Sequence, residues 1–319
     1  MNETCNLNIT QGIQNLQLAT AIPTFIVGVV GNIYVFVMFC RRPRKDWTYM
    51  MVYITNMAIA DCVVLLMLPV RIVSYYEDSR KISKLWDHSN KELCYVLVSI
   101  YYVNMYVSIF TMTAISVVRY VAIKYPIRAR SVLSCKKALL VCVLIWVITC
   151  SLSACFHYVD KNEDKTTNFK CFQKNKAKPL DMSFVLVLVI VGFLLPLLIM
   201  LYCSSKIVYT LQKQLDVGSR SEKIQCIFII TANLIVFVIC FFPVHFGFLY
   251  KFLLQEHKYS CDAQNFAHNF VHVAMGLSIM NSGLDCFSYY FANKTTWNMC
   301  GLNKTKDNGD ENVALQDSK

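Results

Sequence analysis

The chain has 319 residues, of which 56% are hydrophobic and 16% charged, and its formal net charge is +11. So large an apolar share is out of place in a soluble domain of this length, whereas several membrane spans require it. The Lys and Arg residues lie in short stretches between apolar runs, which is membrane topology and excludes the basic face of a nucleic-acid-binding protein.

The first 20 residues, MNETCNLNITQGIQNLQLAT, lack a basic start followed by an early apolar run. No cleaved signal peptide is expected, so the first span acts as its own targeting signal. A bilayer core of about 30 Å needs roughly 20 apolar helical residues. Seven stretches qualify, at about 18–39, 49–74, 93–123, 135–157, 181–208, 225–250 and 264–291. None has the period-two alternation of a barrel strand, and all exceed a barrel strand in length. The expected fold is an all-α membrane protein, a seven-transmembrane helix bundle with a short amphipathic helix after the seventh span. Residues 1–17 form an outer segment, 18–301 the membrane domain with that short helix, and 302–319 a polar cytoplasmic tail expected to be disordered.

Orientation follows from the short loops. Arg41, Arg42, Arg44 and Lys45 follow the first run. Lys124, Arg128, Arg130, Lys136 and Lys137 follow the third, and Lys213, Arg220 and Lys223 lie between the fifth and sixth. The alternate loops mix both signs, which puts the amino terminus outside. Asn2 and Asn8 stand in glycosylation sequons of that outer segment. Most of the 15 cysteines sit in apolar runs and pack as small hydrophobes. Cys5, Cys94, Cys171 and Cys261 lie at outer positions where oxidation can occur, and four cysteines allow three pairings. Cys300, just inside the seventh run, is a candidate for palmitate.

Ionisable residues within spans are costly and face the bundle interior. They are Asp61, Arg71, Arg119 and Asp285, with His245 and His272 as neutral candidates. Asp61, Ser108, Asn281 and Asp285 stand at similar depth and suit a sodium ion with water. The plainer alternative is a hydrogen-bonded cluster holding one protonated carboxylate. Arg71 follows Pro69, which can turn the outer end of its helix inward. Its planar fork suits a phosphate or carboxylate. Tyr101, Tyr102 and Tyr106 step along the third run at that depth and read either as bundle packing or as a ligand wall. Lys251 reads either as a second ligand cation or as a side chain reaching for headgroups. The outer half of the third run holds no carboxylate, so a cationic amine lacks its partner. No metalloprotease, phosphate-loop or catalytic-triad spacing appears, so no enzyme activity is expected.

Spaced signals carry a resemblance. They are GN at 31–32, NMAIAD at 56–61, Cys94 in the third run 25 residues before Arg119, RY at 119–120, Trp146 and Pro196. CFFP at 240–243 and LDCFSYYF at 284–291 complete the set. In combination they resemble the rhodopsin-like (class A) G-protein-coupled receptors over nearly all of residues 18–301. The resemblance implies a plasma-membrane receptor partnered by a heterotrimeric G protein, by membrane lipids and by arrestin. It implies disulfides Cys94–Cys171 and Cys5–Cys261, an allosteric sodium ion on Asp61, Ser108, Asn281 and Asp285, and no other cofactor. Arg119, Tyr120, Phe241, Pro243, Asp285 and Tyr289 match positions of G-protein coupling and activation.

Three positions depart from the family pattern. Val118 replaces the acid before the arginine, which implies a less restrained Arg119 and raised basal signalling. Phe241 replaces the sixth-helix tryptophan, and Cys286 the seventh-helix proline. Within the family, NLQLATAIPTFIVG, FFPVHFGFLYKFLL and LDCFSYYF resemble receptors of anionic lysophospholipids such as lysophosphatidylinositol. RYVAIKYPIRAR resembles those of small acids of the kynurenic-acid type. The implied ligand is therefore an anionic lipid, with a small carboxylic acid as the alternative, held by Arg71, Tyr101, Tyr102, Tyr106, His245, Lys251 and His272. The G proteins implied are of the twelve/thirteen or q type. An ion pathway through Asp61, Asp285 and Arg119 is the remote alternative, since no inverted repeat or pair of broken helices is present. A retinal photoreceptor would need a lysine in the seventh run, and 264–291 has none.

Overall fold

The computed structural model describes residues 5, 7, 9–41, 43, 47–76, 91–163, 182–213 and 220–299, with the side chains of 73–76, 91–95, 156–163, 222 and 287–299 excepted. The helices are α1 Gln11–Cys40, α2 Tyr49–Tyr76, α3 Lys91–Lys124, the short α4 Pro126–Val132 and α5 Cys135–Glu163. They continue with α6 Met182–Lys213, α7 Arg220–Glu256 and α8 Cys261–Met299. Six of them, α1, α2, α3, α5, α6 and α7, are long and apolar enough to cross a membrane. The seventh, α8, has the length but spends much of its face on polar residues. His268, Asn269, His272, Ser278, Asn281, Ser282 and Asp285 are all buried in the bundle.

The helices close into a ring in which α1 packs on α2 and α8, α2 on α3 and α5, α3 on α6, α6 on α7, and α7 on α8. The outer surface is apolar, with Ile26, Val30, Leu66, Leu139, Leu198, Phe228 and Phe246 exposed. A soluble protein rarely leaves so much contiguous apolar area uncovered, and a bilayer covers it. Polar residues inside act as cross-links. Asn56 of α2 donates to Thr111 Oγ1 of α3 (2.9 Å) and accepts from Trp146 Nε1 of α5 (2.9 Å). Three helices are thus joined through one buried amide, and each bond is worth about 1 kcal/mol net.

Helix breaks have local causes. In α1, the hydroxyls of Thr20 and Thr24 bond backbone carbonyls of Leu16, Gln17 and Thr20 around Pro23, whose ring lacks an N–H. In α6 the residues Ile190–Leu194 form a π-helical turn. A side chain on Gly192 in that turn would begin 2.6 Å from Tyr106 Cε1, so the glycine makes room for the tyrosine of α3. Lys258 takes a left-handed conformation (φ 51°) after α7, and Tyr259 N–H closes on Leu254 O at 3.0 Å to stop the helix.

The described backbone of α8 is helical through Cys286 to Met299, as expected if cysteine leaves an N–H that proline would remove. The short amphipathic helix expected after the seventh span therefore has no separate element among the described residues. Cys5 is bonded to Cys261, tying the start of the chain to the start of α8. Thr10 N–H to Asn269 Oδ1 (3.3 Å) reinforces that strap. The pairing Cys94–Cys171, the sequon residues Asn2 and Asn8, the Tyr289 side chain, Cys300 and the tail 302–319 lie outside the described residues.

Candidate ligand site and polar core

Arg71 is the anchor of the outer half. It is only 7% exposed, two residues after Pro69 of α2. Its guanidinium sits 5.2 Å from the centroid of the Tyr101 ring, a stacking that contributes about 0.5–2 kcal/mol. Tyr101 is itself fixed, its hydroxyl bonding Ser278 Oγ, while Ser278 donates to Met275 O at 2.9 Å. Tyr102 packs edge-on to Tyr101 (5.2 Å) and against Phe248 (6.1 Å). A guanidinium held over a pinned aromatic ring, inside an apolar bundle, has the donor chemistry to hold an anion.

Lys251 does not extend toward headgroups. Its Nζ lies 3.1 Å from His268 Nδ1, and the His268 ring meets His272 at 4.7 Å. His272 is in turn within electrostatic reach of both Arg71 and Lys251. The two cations of the expected ligand set therefore communicate through a histidine pair, of which only His272 was expected. His268 stands one helical turn before it on the same face of α8, and that spacing was the available signal. Gln17 was also missed. It is 7% exposed, donates from Nε2 to His272 O (2.8 Å), and leaves Oε1 buried without a hydrogen-bond partner. At the edge of the first apolar run it reads as a helix end.

Tyr106 and His245 form a second level, five residues or about 7.5 Å further along α3. Their rings lie 5.8 Å apart, edge to face. His245 Nδ1 is 2.7 Å from Phe241 O. A carbonyl oxygen only accepts, so Nδ1 carries the proton and Nε2 presents a lone pair. His245 Nε2 and Tyr106 Oη are both buried without a partner. This level thus offers one acceptor and one donor, which suits a hydroxyl or a water and gives a bare carboxylate nothing on the histidine side. From His245 an aromatic column runs inward through Phe193 (4.8 Å, stacked) to Phe237 (5.8 Å from Phe193), where it ends fully buried. Phe241, one turn outward on α7 and two residues before Pro243, packs on Phe237 at 5.3 Å and is also fully buried.

Below that column lies the polar core. Asp61, Ser108, Asn281 and Asp285 are all buried, and Asn281 Nδ2 donates to Asp285 Oδ2 at 2.7 Å. Ser108 Oγ lacks a hydrogen-bond partner, the Asp61 carboxylate has the Ser282 hydroxyl beside it, and Asp61 is close enough to Asp285 for their charges to interact. Isolated buried carboxylates cost several kcal/mol each, so this cluster calls for a shared proton, water or a hard cation. Buried hard oxygens of this kind are the donor type that sodium takes. Among the described residues no group of three or more His, Cys, Asp or Glu is placed to hold a metal ion.

At the inner end Arg119 is half-buried, and Val118, 8% exposed, packs into the main apolar core. Tyr120 packs beside Ile207, Leu211, Cys226 and Ile230 of α6 and α7, and its ring meets Tyr202 at 5.8 Å and Tyr125 at 6.1 Å. Lys124 donates to Tyr120 Oη (3.0 Å) and lies over both the Tyr120 and Tyr125 rings. Where the family pattern would put an acid, aromatic packing holds this end of α3.

The chain matches the family model described as the seven-transmembrane receptors of the rhodopsin family over residues 31–289. It is 30% identical to mouse G-protein coupled receptor 55 over 295 residues, covering 88% of this chain and 86% of that one. It is 31% identical to human G-protein coupled receptor 35 over 271 residues, with coverages of 84% and 81%. To human lysophosphatidic acid receptor 4 it is 30% identical over 284 residues, with coverages of 87% and 74%. The matched region runs from the inner third of α1 through α8 to residue 289 and includes the polar core and Arg71, and the chain, a multi-pass protein of the plasma membrane, belongs to the rhodopsin family of G-protein-coupled receptors.

Proposed function

We propose that this receptor senses an anionic lysophospholipid such as lysophosphatidylinositol and signals through G proteins of the twelve/thirteen or q type. The observation that carries the reading is Arg71, buried within the bundle and stacked on a pinned tyrosine. Its planar fork of N–H donors matches the oxygens of a phosphate. Lys251, through His268 and His272, adds a second positive centre for a phosphate. The donor and acceptor of Tyr106 and His245 favour a hydroxyl-bearing headgroup over a plain carboxylate. Among the relatives, lysophosphatidic acid receptor 4 carries in its name a lipid of the same chemical class. The ligand acts by preferring one arrangement of α6, α7 and α8, with the column from His245 through Phe193 to Phe237 as the path of that preference and Arg119 further inward. Arrestin is a further partner, and sodium on Asp61, Ser108, Asn281 and Asp285 is an allosteric ligand favouring one of the two states.

The test is G-protein activation in cells expressing the full chain, with lysophosphatidylinositol as agonist and Arg71→Ala alongside. Loss of one bidentate charge-assisted pair costs about 2–3 kcal/mol, so potency should fall roughly 30- to 150-fold in the mutant. Activation of wild type and mutant at equal potency refutes the Arg71 assignment. Silence toward the lipid with activation by kynurenic acid replaces the ligand class.

A further inference from the structure

A hydrogen bond between Tyr106 of α3 and His245 of α7 is available and not made. Tyr106 Oη has a proton to donate, and His245 Nε2 presents a lone pair because Nδ1–H is spent on Phe241 O at 2.7 Å. Both atoms are buried without a partner among the described residues, although the two rings lie edge to face with centroids 5.8 Å apart. A buried donor or acceptor left unsatisfied bears its full desolvation cost, so an arrangement in which these two meet relieves both. What holds them apart is α6. Its π-helical turn, Ile190–Leu194, packs on both α3 and α7. Gly192 of that turn faces Tyr106, where an added Cβ would stand 2.6 Å from Cε1, and Phe193 stacks on the His245 ring at 4.8 Å. Consecutive residues of one turn thus seat the donor and the acceptor. A π-turn has a discrete alternative, because relaxing it to α-helix removes one residue from the turn and shifts the chain by about 1.5 Å.

We propose that the ligand-free receptor reaches its signalling arrangement by closing Tyr106 Oη–H onto His245 Nε2, with the π-turn of α6 as the spacer that keeps them apart at rest. Closure needs α3 and α7 to approach by about 1–2 Å, the usual size of a helix shift between two states. The latch goes beyond the anionic-lipid reading and does not depend on it. A headgroup hydroxyl can serve both atoms at once, whereas without ligand each has only the other. The bond shifts the balance of states by the worth of one buried hydrogen bond, about three- to tenfold in population. Because Phe193 stacks on His245 while Gly192 abuts Tyr106, any move of the turn is felt by both partners together.

The experiment reads basal G-protein activation in cells expressing the full chain without added ligand, with sensors for each class of Gα, normalised to surface amount. Tyr106→Phe removes one oxygen and His245→Phe keeps the ring that stacks on Phe193. Each should lower basal output about three- to tenfold, and the double variant should fall no further than the lower single. His245→Gln, whose amide reaches the Nε2 position, should keep more output than His245→Phe. His245→Asn, which stops short of that position, serves as the loss variant if His245→Phe fails to reach the surface. The thermal midpoint of the solubilised Tyr106→Phe receptor should equal or exceed that of wild type, since the resting state loses an unsatisfied hydroxyl. Basal output at background in the wild type, unchanged output in Tyr106→Phe, or additive losses in the double variant overturn the latch. A midpoint several degrees lower in Tyr106→Phe means that the hydroxyl is satisfied at rest, by a bridging water, and also overturns it. The same set is repeated in the Arg71→Ala background, where the lipid of the proposed function no longer acts. Differences that persist there support the latch whatever the ligand is, and differences that vanish assign the pair to ligand contact and overturn it.

Discussion

Replacing Gly31 by alanine perturbs the closest approach between the first and last helices. An added Cβ would stand 2.2 Å from Cys286 Sγ and 2.3 Å from Cys286 Cβ. The sulfur can swing away, but the Cβ is fixed to the backbone of α8. Restoring a 3.4 Å contact therefore requires α1 and α8 to part by about 1 Å. A gap of that size forfeits roughly a quarter to a half of each dispersion contact along the seam, and overpacking of this kind costs about 1–3 kcal/mol. The seam includes Asn32, whose Nδ2 bonds Gly28 O (2.9 Å) and Ser282 O (3.4 Å) beside the polar core. The assay is thermal unfolding of the detergent-solubilised receptor. Gly31→Ala should lower the midpoint by several degrees, and Cys286→Gly in the same chain should recover most of the loss. An unchanged midpoint in the single mutant, or no recovery in the double, refutes the packing argument.

Asn56→Leu strands the Trp146 indole N–H and the Thr111 hydroxyl. It should destabilise the receptor by about 1–3 kcal/mol, whereas a midpoint equal to wild type would show that the amide is not a cross-link. Asp61→Asn should abolish any rise in thermal midpoint that sodium chloride gives over choline chloride. If the mutant keeps the wild-type sodium response, the ion does not bind at Asp61. Val118→Asp places a carboxylate beside Arg119 in a pocket that is now apolar. Basal G-protein activation, normalised to surface amount, should fall as the new ion pair restrains Arg119; unchanged basal output means that the aromatic packing of Tyr120 already holds it.

Much of the architecture could be read from composition and pattern because a bilayer imposes it. A span must satisfy its own backbone and show lipid an apolar face, so the seven runs named the seven helices, with ends extended by a turn or two at Gln11, Glu163, Arg220 and Glu256. The polar residues inside those runs were equally visible, since Asp61, Arg71, Arg119 and Asp285 stand out against apolar neighbours. Their partners were not. Gln17 carries no mark that separates it from a helix end, and for His268 only its spacing of one helical turn from His272 hints at a shared face. Only the approach of α1, α7 and α8 turns one onto His272 O and the other onto Lys251. Lys251 illustrates the same limit: its sequence position allowed either a headgroup or a ligand, and the neighbour on α8 decided the matter.

What the sequence by itself determined is therefore what one helix and its solvent determine, namely the number of spans, their direction and which residues are costly to bury. Tertiary structure alone decided which of those residues meet. The ring contacts of 4.8–5.8 Å among His245, Phe193, Phe237 and Phe241, and the contact of Gln17 with His272 O, depend on how helices distant in sequence rotate against each other. That rotation is set by the summed packing of side chains on several helices at once, with Gly28, Gly31 and Gly192 fixing the closest approaches. No single run of residues contains that information.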